Sequence, residues 1–187
     1  MNVSPELILT SQRCVLRYPS LADIPAVFSA TRYPGFNDGM VWDPPADAAE
    51  LIPPFERMSN AWREGRAYTF SIDLADTGQF AGRITIRKQS EAGLWNIGYF
   101  THPEVQGQGL ATEAARAILE FGFTVLGASR IEAGHSLWNT ASERVLQKIG
   151  MTFVRHEPQG FQKKGAWVPE NILAIDREVW MRQRQRA

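Results

Sequence analysis

A change of hydrophobic period in the middle of the chain constrains its fold more than any other feature. Before it, Tyr68, Phe70, Ile72 and Leu74 alternate with Thr69, Ser71 and Asp73, and Gly82, Ile84 and Ile86 alternate with Arg83, Thr85 and Arg87. After it, Leu110, Ala114, Ile118, Phe121 and Val125 recur at helical spacing. A period of two predicts strands, here an antiparallel hairpin turned by Ala75-Asp76-Thr77-Gly78 with one dry face, and a further strand over 94–101. The later spacing predicts a long amphipathic helix. A strand must therefore pass through Glu104-Val105-Gln106-Gly107-Gln108-Gly109 straight into a helix N-terminus. Such an end leaves backbone N–H groups without partners and carries partial positive charge, and glycine lets the main chain approach a ligand closely. Gln106, Gly107, Gln108, Gly109, Leu110 and Ala111 thus form a cradle for phosphate oxygens. The absence of Gly-Lys-Ser/Thr excludes a nucleoside triphosphate loop, and Thr112 stands where a dinucleotide fingerprint needs its third glycine.

The flanking segments predict the rest. An opening strand over 7–18, kinked at Thr10-Ser11-Gln12, leads to Ser20 as an N-cap with Asp23 in the first turn. Leu21, Ile24, Val27 and Phe28 give that helix its stripe, and the turn residues of 33–39 end it. Pro44-Pro45 and Pro53-Pro54 bracket a short helix, and a second runs over 54–63. Beyond the long helix come a strand over 130–136, a helix over 139–149 closed by Gly150, a strand over 151–156, a glycine- and lysine-containing loop over 161–167, and a strand over 171–175. The order predicts an α/β domain of α+β type, with a mixed, mainly antiparallel central sheet flanked by helices. No repeat or linker divides the chain, so 1–187 reads as a single domain. Within it, 1–65 shapes the acceptor side, 66–156 is the cofactor-binding core and 157–187 supplies the closing strand and tail.

Twenty basic and twenty acidic side chains in 187 residues cancel, which removes any global electrostatic case for nucleic acid or an anionic membrane as partner. The lone cysteine, Cys14, alternates with Leu16 as a buried thiol and permits neither an intrachain disulfide nor a cysteine zinc cluster. No run of about 18 apolar residues and no signal-peptide pattern is present, which predicts a cytoplasmic protein. The three arginines of 182–187 read as a solvated tail.

Four ordered blocks carry a resemblance. Gln106-Gly107-Gln108-Gly109-Leu110-Ala111-Thr112-Glu113-Ala114 resembles the pyrophosphate loop of the GNAT superfamily of acetyltransferases. Its Thr-Glu-Ala ending is similar to the RimJ/RimL branch, which acetylates N-terminal amines of ribosomal proteins. Leu9-Thr10 with Arg13 and Leu16-Arg17 resembles that branch's opening strand. Arg130-Ile131 through Asn139 and Ser142 to Gln147-Lys148-Ile149-Gly150-Met151 resembles its second cofactor motif, and Leu173–Trp180 its closing strand and tail. Three positions depart from the pattern: Glu104 for Gln or Arg, Met151 for Phe, and Asn96 where Rim-type sequences often carry a glutamate.

The resemblance implies acetyl-CoA as co-substrate, no metal, and direct transfer to a primary amine in a ternary complex. It implies that the backbone at Phe100 and Thr101 binds the pantetheine arm like an added strand, and that amides of 106–111 hold the pyrophosphate. It further implies that Asn139 both caps its helix and touches the arm, while Ser142 protonates the departing thiolate. On spacing alone, Asn139 and Ser142 are an N-cap and a first-turn residue. His135 is a candidate base for the amine by its residue type, beside the plainer reading of a surface or core-edge histidine, and Glu132 faces the other way. Phe36, Trp42 and Trp62 are candidates for an apolar acceptor wall as well as for ordinary core packing. The acceptor is a peptide N-terminal amine or a small molecule such as an amino acid, an antibiotic or a polyamine, the last with Asp38, Asp43 and Asp47 at hand. A CoA-binding sensor without turnover is the reading from another class. The chain reads as a monomer or homodimer.

Overall fold

A computed structural model describes residues 3–185. A short hairpin of β1 (Leu9–Thr10) and β2 (Cys14–Arg17) leads into α1 (Ile24–Ala30) and α2 (Ile52–Arg63). The strands β3 (Ala67–Leu74), β4 (Phe80–Lys88) and β5 (Leu94–Thr101) precede the long helix α3 (Leu110–Thr124). Then follow β6 (Arg130–Ser136), α4 (Thr140–Lys148), the hairpin β7 (Thr152–Lys163) and β8 (Ala166–Asp176), and α5 (Arg177–Arg184). All eight strands join one sheet in the order β1-β2-β3-β4-β5-β6-β8-β7. Every pairing is antiparallel except β5 with β6. The expected mixed, mainly antiparallel sheet with flanking helices is the observed fold.

Packing of α3 sets the core. Phe121 meets Phe70 and Tyr68 edge-on at 5.6 and 5.7 Å. A Cβ at Gly122 would lie 2.7 Å from Ile131 and 2.9 Å from Ile86, so only a glycine lets the helix sit this close to the sheet. Each aromatic or branched chain buried here contributes about 1.5–3 kcal/mol.

Four local expectations are corrected. The opening strand is not one kinked segment. Ser11 N donates to Cys14 O at 2.9 Å and folds the segment into a hairpin with Leu9 opposite Leu16. The β3–β4 pair is dry on both faces, because Arg83 and Thr85 are buried as well as Ile84. The loop over 161–167 is the tip of a hairpin. Lys164 and Gly165 both take left-handed φ (49° and 81°), and the twist of such a two-residue turn lets the two strands run on. The tail is also structured: α5 lays Trp180 on Phe123 at 5.1 Å, and Arg184 pairs with Glu120 at 2.7 Å. Arg186 and Ala187 lie outside the described residues.

On the face of the sheet opposite α3, a buried ion network ties the first 73 residues together. Ser20 and Asp23 form a reciprocal capping box. Asp23, 4% exposed, also takes Arg17 at 2.6 Å and Ser71 Oγ at 2.6 Å, while Arg17 reaches Asp73 at 2.5 Å. Burial pushes the Asp23 carboxyl up, but the hydrogen bonds from Arg17, Ser71 and the Ser20 amide outweigh it and hold it below its ordinary value. The stability it adds is therefore complete above the usual carboxylate range near pH 4 and is lost as the pH falls through the depressed value. Asp23→Asn is expected to cost about 3 kcal/mol in urea unfolding at pH 7. The gap from wild type should shrink in strong acid; a constant gap would show that the charge is not what matters.

Candidate active site

The glycine loop presents bare donors. His102 Nδ1 accepts Glu104 N at 3.3 Å and starts a 3-10 turn over Pro103–Val105. Gly107 (φ 77°) and Gly109 (φ 84°) then bend the chain in a region open to glycine, with Gly109 at the N-cap of α3. Among the described residues, no amide from Gly107 to Ala111 donates a backbone hydrogen bond; only Thr112 and Glu113 reach back to Gly109 O. A charge stands beside them. Glu113 binds Arg13 at 2.5 Å, Ser11 Oγ at 2.9 Å and the Arg13 amide at 3.0 Å. This fixes the Arg13 guanidinium so that a Cβ on Gly109 would lie 3.3 Å from its Nη2. Free amides, a helix N-terminus and a guanidinium at one spot suit a diphosphate.

Upstream of this cradle the sheet opens. β5 pairs with β6 only at Leu94–Arg130, Trp95–Ile131 and Asn96–Glu132. Past that point β5 keeps β4 as neighbour as far as Thr101, and β6 keeps β8 as far as Ser136. The facing edges, which include Phe100 and Thr101, are left apart. The Thr101 carbonyl accepts Gln106 Nε2 at 3.1 Å, which joins the end of the strand to the loop.

Register sorts the side chains around this cleft into two faces. Tyr99, Ala133 and His135 share the α3 and α4 face with Ile97 and Ile131. There, Asn139 Oδ1 accepts the Ser142 amide at 3.1 Å as the N-cap of α4, and Tyr99 Oη lies 2.9 Å from Ser142 Oγ. Burial pushes the Tyr99 phenol up to about 12, with the Ser142 hydrogen bond offsetting only part of this, so the group keeps its proton at neutral pH. His135 is 3% exposed, with Nδ1 2.9 Å from Ser136 O and Nε2 buried without a partner.

The opposite face carries Phe100, opposite Arg83, and Ser136, opposite Glu170. Phe36 and Trp42 stand on Phe100 at 5.4 and 6.4 Å and form an aromatic wall. Their loop is strapped down by Lys163 at the β7–β8 tip, whose Nζ donates to the carbonyls of Asn37, Met40 and Trp42 at 3.0, 3.0 and 2.8 Å and pairs with Asp43 at 3.1 Å. The loop also reaches the cleft: a Cβ on Gly39 would lie 3.2 Å from Asn139 Nδ2. Trp62 is not part of this wall. It is 2% exposed, sits among Tyr18, Tyr68 and Phe70, and donates to Val3 O at 2.8 Å.

Sequence reasoning missed four residues here. Tyr99 had a signal in its place after Ile97-Gly98, facing the same way as Ile97. Arg83, Glu170 and Lys163 had none, since strand pairing and main-chain carbonyls created their surroundings.

An anion cradle, an open strand edge, a protonated Tyr–Ser pair and an aromatic wall all converge on one cleft. A family model described as an acetyltransferase (GNAT) domain matches residues 13–152. The uncharacterized N-acetyltransferase YnaD of Bacillus subtilis is 30% identical over 177 residues, covering 92% of this chain and 98% of its own. RimJ of Mycobacterium smegmatis, solved in complex with CoA-disulfide, superimposes with a TM-score of 0.77 at 25% identity, covering 92% of this chain and 88% of that one. The microcin C7 self immunity acetyltransferase MccE, solved in complex with acetyl-CoA and AMP, shares the fold with a TM-score of 0.81 at 19% identity, covering 94% and 98%. This chain belongs to the GNAT family of N-acetyltransferases, on the side of that family similar to RimJ and RimL.

Proposed function

We propose that this chain moves the acetyl group of acetyl-CoA to a primary amine by direct attack in a ternary complex. The observation that carries this reading is the separation of β5 from β6 past Asn96 and Glu132, between the free amides of 107–111 and the Tyr99–Ser142 pair. The amides and Arg13 would hold the diphosphate, and the free edge at Phe100 and Thr101 would hydrogen-bond the pantetheine arm. The thioester supplies an activated acyl group with a thiolate leaving group.

The residues divide the proton work. Ser142 Oγ hydrogen-bonds the departing sulfur, and Tyr99 Oη backs it. A thiol of pKa near 8.5 needs no stronger acid. The amine must arrive neutral. His135 faces α3 and α4, away from the aromatic wall, so we assign the base to Glu170. It shares the Phe100 face at the level of Ser136. Burial pushes its carboxyl above the usual range, with Glu157 adding to this and His135 opposing it. A base raised in this way takes a proton more readily near neutrality. It also stands in for the glutamate that Asn96 replaces. A polyamine acceptor loses support, since Asp43 is paired with Lys163 and Asp47 accepts the Ala49 amide at 2.7 Å.

Release of CoA thiol from acetyl-CoA across a panel of amines tests the activity, and binding without release on every amine would favour a sensor instead. Gly109→Val is expected to weaken CoA at least tenfold in calorimetry, because a branched side chain is strained at φ 84° and crowds Arg13; unchanged affinity would remove the cradle assignment. Ser142→Ala and Tyr99→Phe should each lower kcat by about 10- to 100-fold with KM little altered. Glu170→Gln should lower kcat/KM by about 100-fold or more and abolish the acidic limb of the pH–rate profile, which His135→Gln should retain. The reverse pattern would make His135 the base.

A further inference from the structure

At the level of Phe100 and Ser136, one row of side chains crosses the cleft on the acceptor face: Arg83 and Phe100 on one bank, Ser136 and Glu170 on the other. Both ends of the row carry ionisable side chains without a side-chain hydrogen bond or ion pair among the described residues. Arg83 is 7% exposed, and its Nε and Nη2 are buried without a hydrogen-bond partner among the described residues. Two rings lie on it, with its guanidinium carbon 4.4 Å from the Phe55 centroid and 6.0 Å from that of Phe100. Asp23 acts on it from a distance, but that carboxylate is already engaged by Arg17, Ser71 and the Ser20 amide. Burial pushes the Arg83 guanidinium down to about 10, which leaves it charged at neutral pH.

The Glu170 carboxylate, on the far bank, has neither a hydrogen bond nor an ion pair among the described residues. Two glycines make room for it: a Cβ on Gly134 would lie 2.9 Å from its Oε1, and one on Gly160 would lie 2.5 Å from its Cγ. Ser136 Oγ, beside it, is buried without a partner.

A buried guanidinium without partners destabilises a fold, and replacing it by an apolar side chain would ordinarily be neutral or favourable. Its place beneath the acceptor wall points to a ligand as the missing partner. The orphaned atoms specify the ligand's chemistry. Nε and Nη2 form the side-on edge of a guanidinium, whose two parallel N–H groups match the two oxygens of a carboxylate. Glu170 at the other end matches an ammonium. Three strand spacings separate the two backbones, roughly 15 Å before the cleft widens them, and an arginine and a glutamate side chain are long enough to take up most of that span. The gap suits a molecule only a few bonds long between its charges.

We propose that the acceptor is a primary amine carrying a carboxylate a few bonds away, with the carboxylate on Arg83 and the amine facing Glu170. This rests on the acetyl-transfer reading and narrows it. The same chemistry is offered by a free amino acid and by a peptide whose N-terminal amine is followed by an acidic side chain. A cationic chain such as a polyamine would meet Arg83 as a like charge.

Matched acceptors test the proposal: glycine and β-alanine against their amides, and Ser-Glu-amide against Ser-Gln-amide. Wild type should favour the carboxylate member by about 10- to 100-fold in kcat/KM. A preference in the first pairs identifies a small-molecule acceptor, and one in the peptide pair identifies an N-terminus. Arg83→Met should bring the ratio near one while raising the melting temperature, since it removes an unpaired buried charge. Arg83→Lys, which keeps charge without the fork, should recover only part of the ratio. Carboxylate-blind turnover by wild type, or a ratio that survives in Arg83→Met, would overturn the proposal alone. A lower melting temperature with the ratio intact would make Arg83 structural. Absence of turnover on every amine would instead overturn acetyl transfer, and this inference with it.

Discussion

The site depends on hydrogen bonds that are not made. Three residue pairs hold β5 against β6, and then the ladder stops while each strand stays paired to its other neighbour. Unpaired main-chain groups inside a domain are costly. Here the cost falls between β5 and β6, where the proposed pantetheine arm would take the vacant edge. The sheet tolerates the gap because β4 and β8 brace the two banks from outside and α3 spans them from below, with Gly122 letting the helix press against Ile86 of one half and Ile131 of the other.

That gap also separates two kinds of chemistry. Tyr99, Ser142 and Asn139 gather on the face toward α3 and α4, the side proposed for the leaving group, where burial keeps the phenol protonated. The other face, proposed for the acceptor, carries Arg83 opposite Phe100 and Ser136 opposite Glu170, with the aromatic loop standing on Phe100. Strand alternation produces the division without further devices, since neighbouring positions on one strand, Tyr99 and Phe100, point to opposite partners.

Fold class and the bend of the glycine loop into a helix N-terminus with free amides were legible in the sequence, because both rest on local rules. Alternation, helical period, the Ser20 cap and the Gly107–Gly109 loop each act within a few residues. The leaving-group side was half legible, since Asn139 and Ser142 sit at a helix start. The acceptor side was not. Arg83 reads as the polar member of an alternating strand, and only the covering of the second face by the helical segment turns it into a buried cation. Glu170 reads as an ordinary strand carboxylate until two glycines from other strands leave it a berth. Trp62 misled for the same reason: its neighbours Tyr18 and Tyr68 come from either side of it in sequence, and their convergence carries it into the core. The 161–167 segment looked like a loop because Lys164-Gly165 is turn chemistry, and it takes pairing to show that strands flank it directly.

The Lys163 strap has a further consequence. It grips Asn37, Met40 and Trp42 through carbonyl oxygens, so it recognises the path of the main chain and not the identity of the side chains. A mould fastened in this way keeps its outline when its lining is exchanged. Side chains such as Phe36 and Trp42 can thereby be exchanged while the main-chain frame that sets them on Phe100 persists, which gives such a scaffold a route to a different wall by substitution alone, without rebuilding its loops.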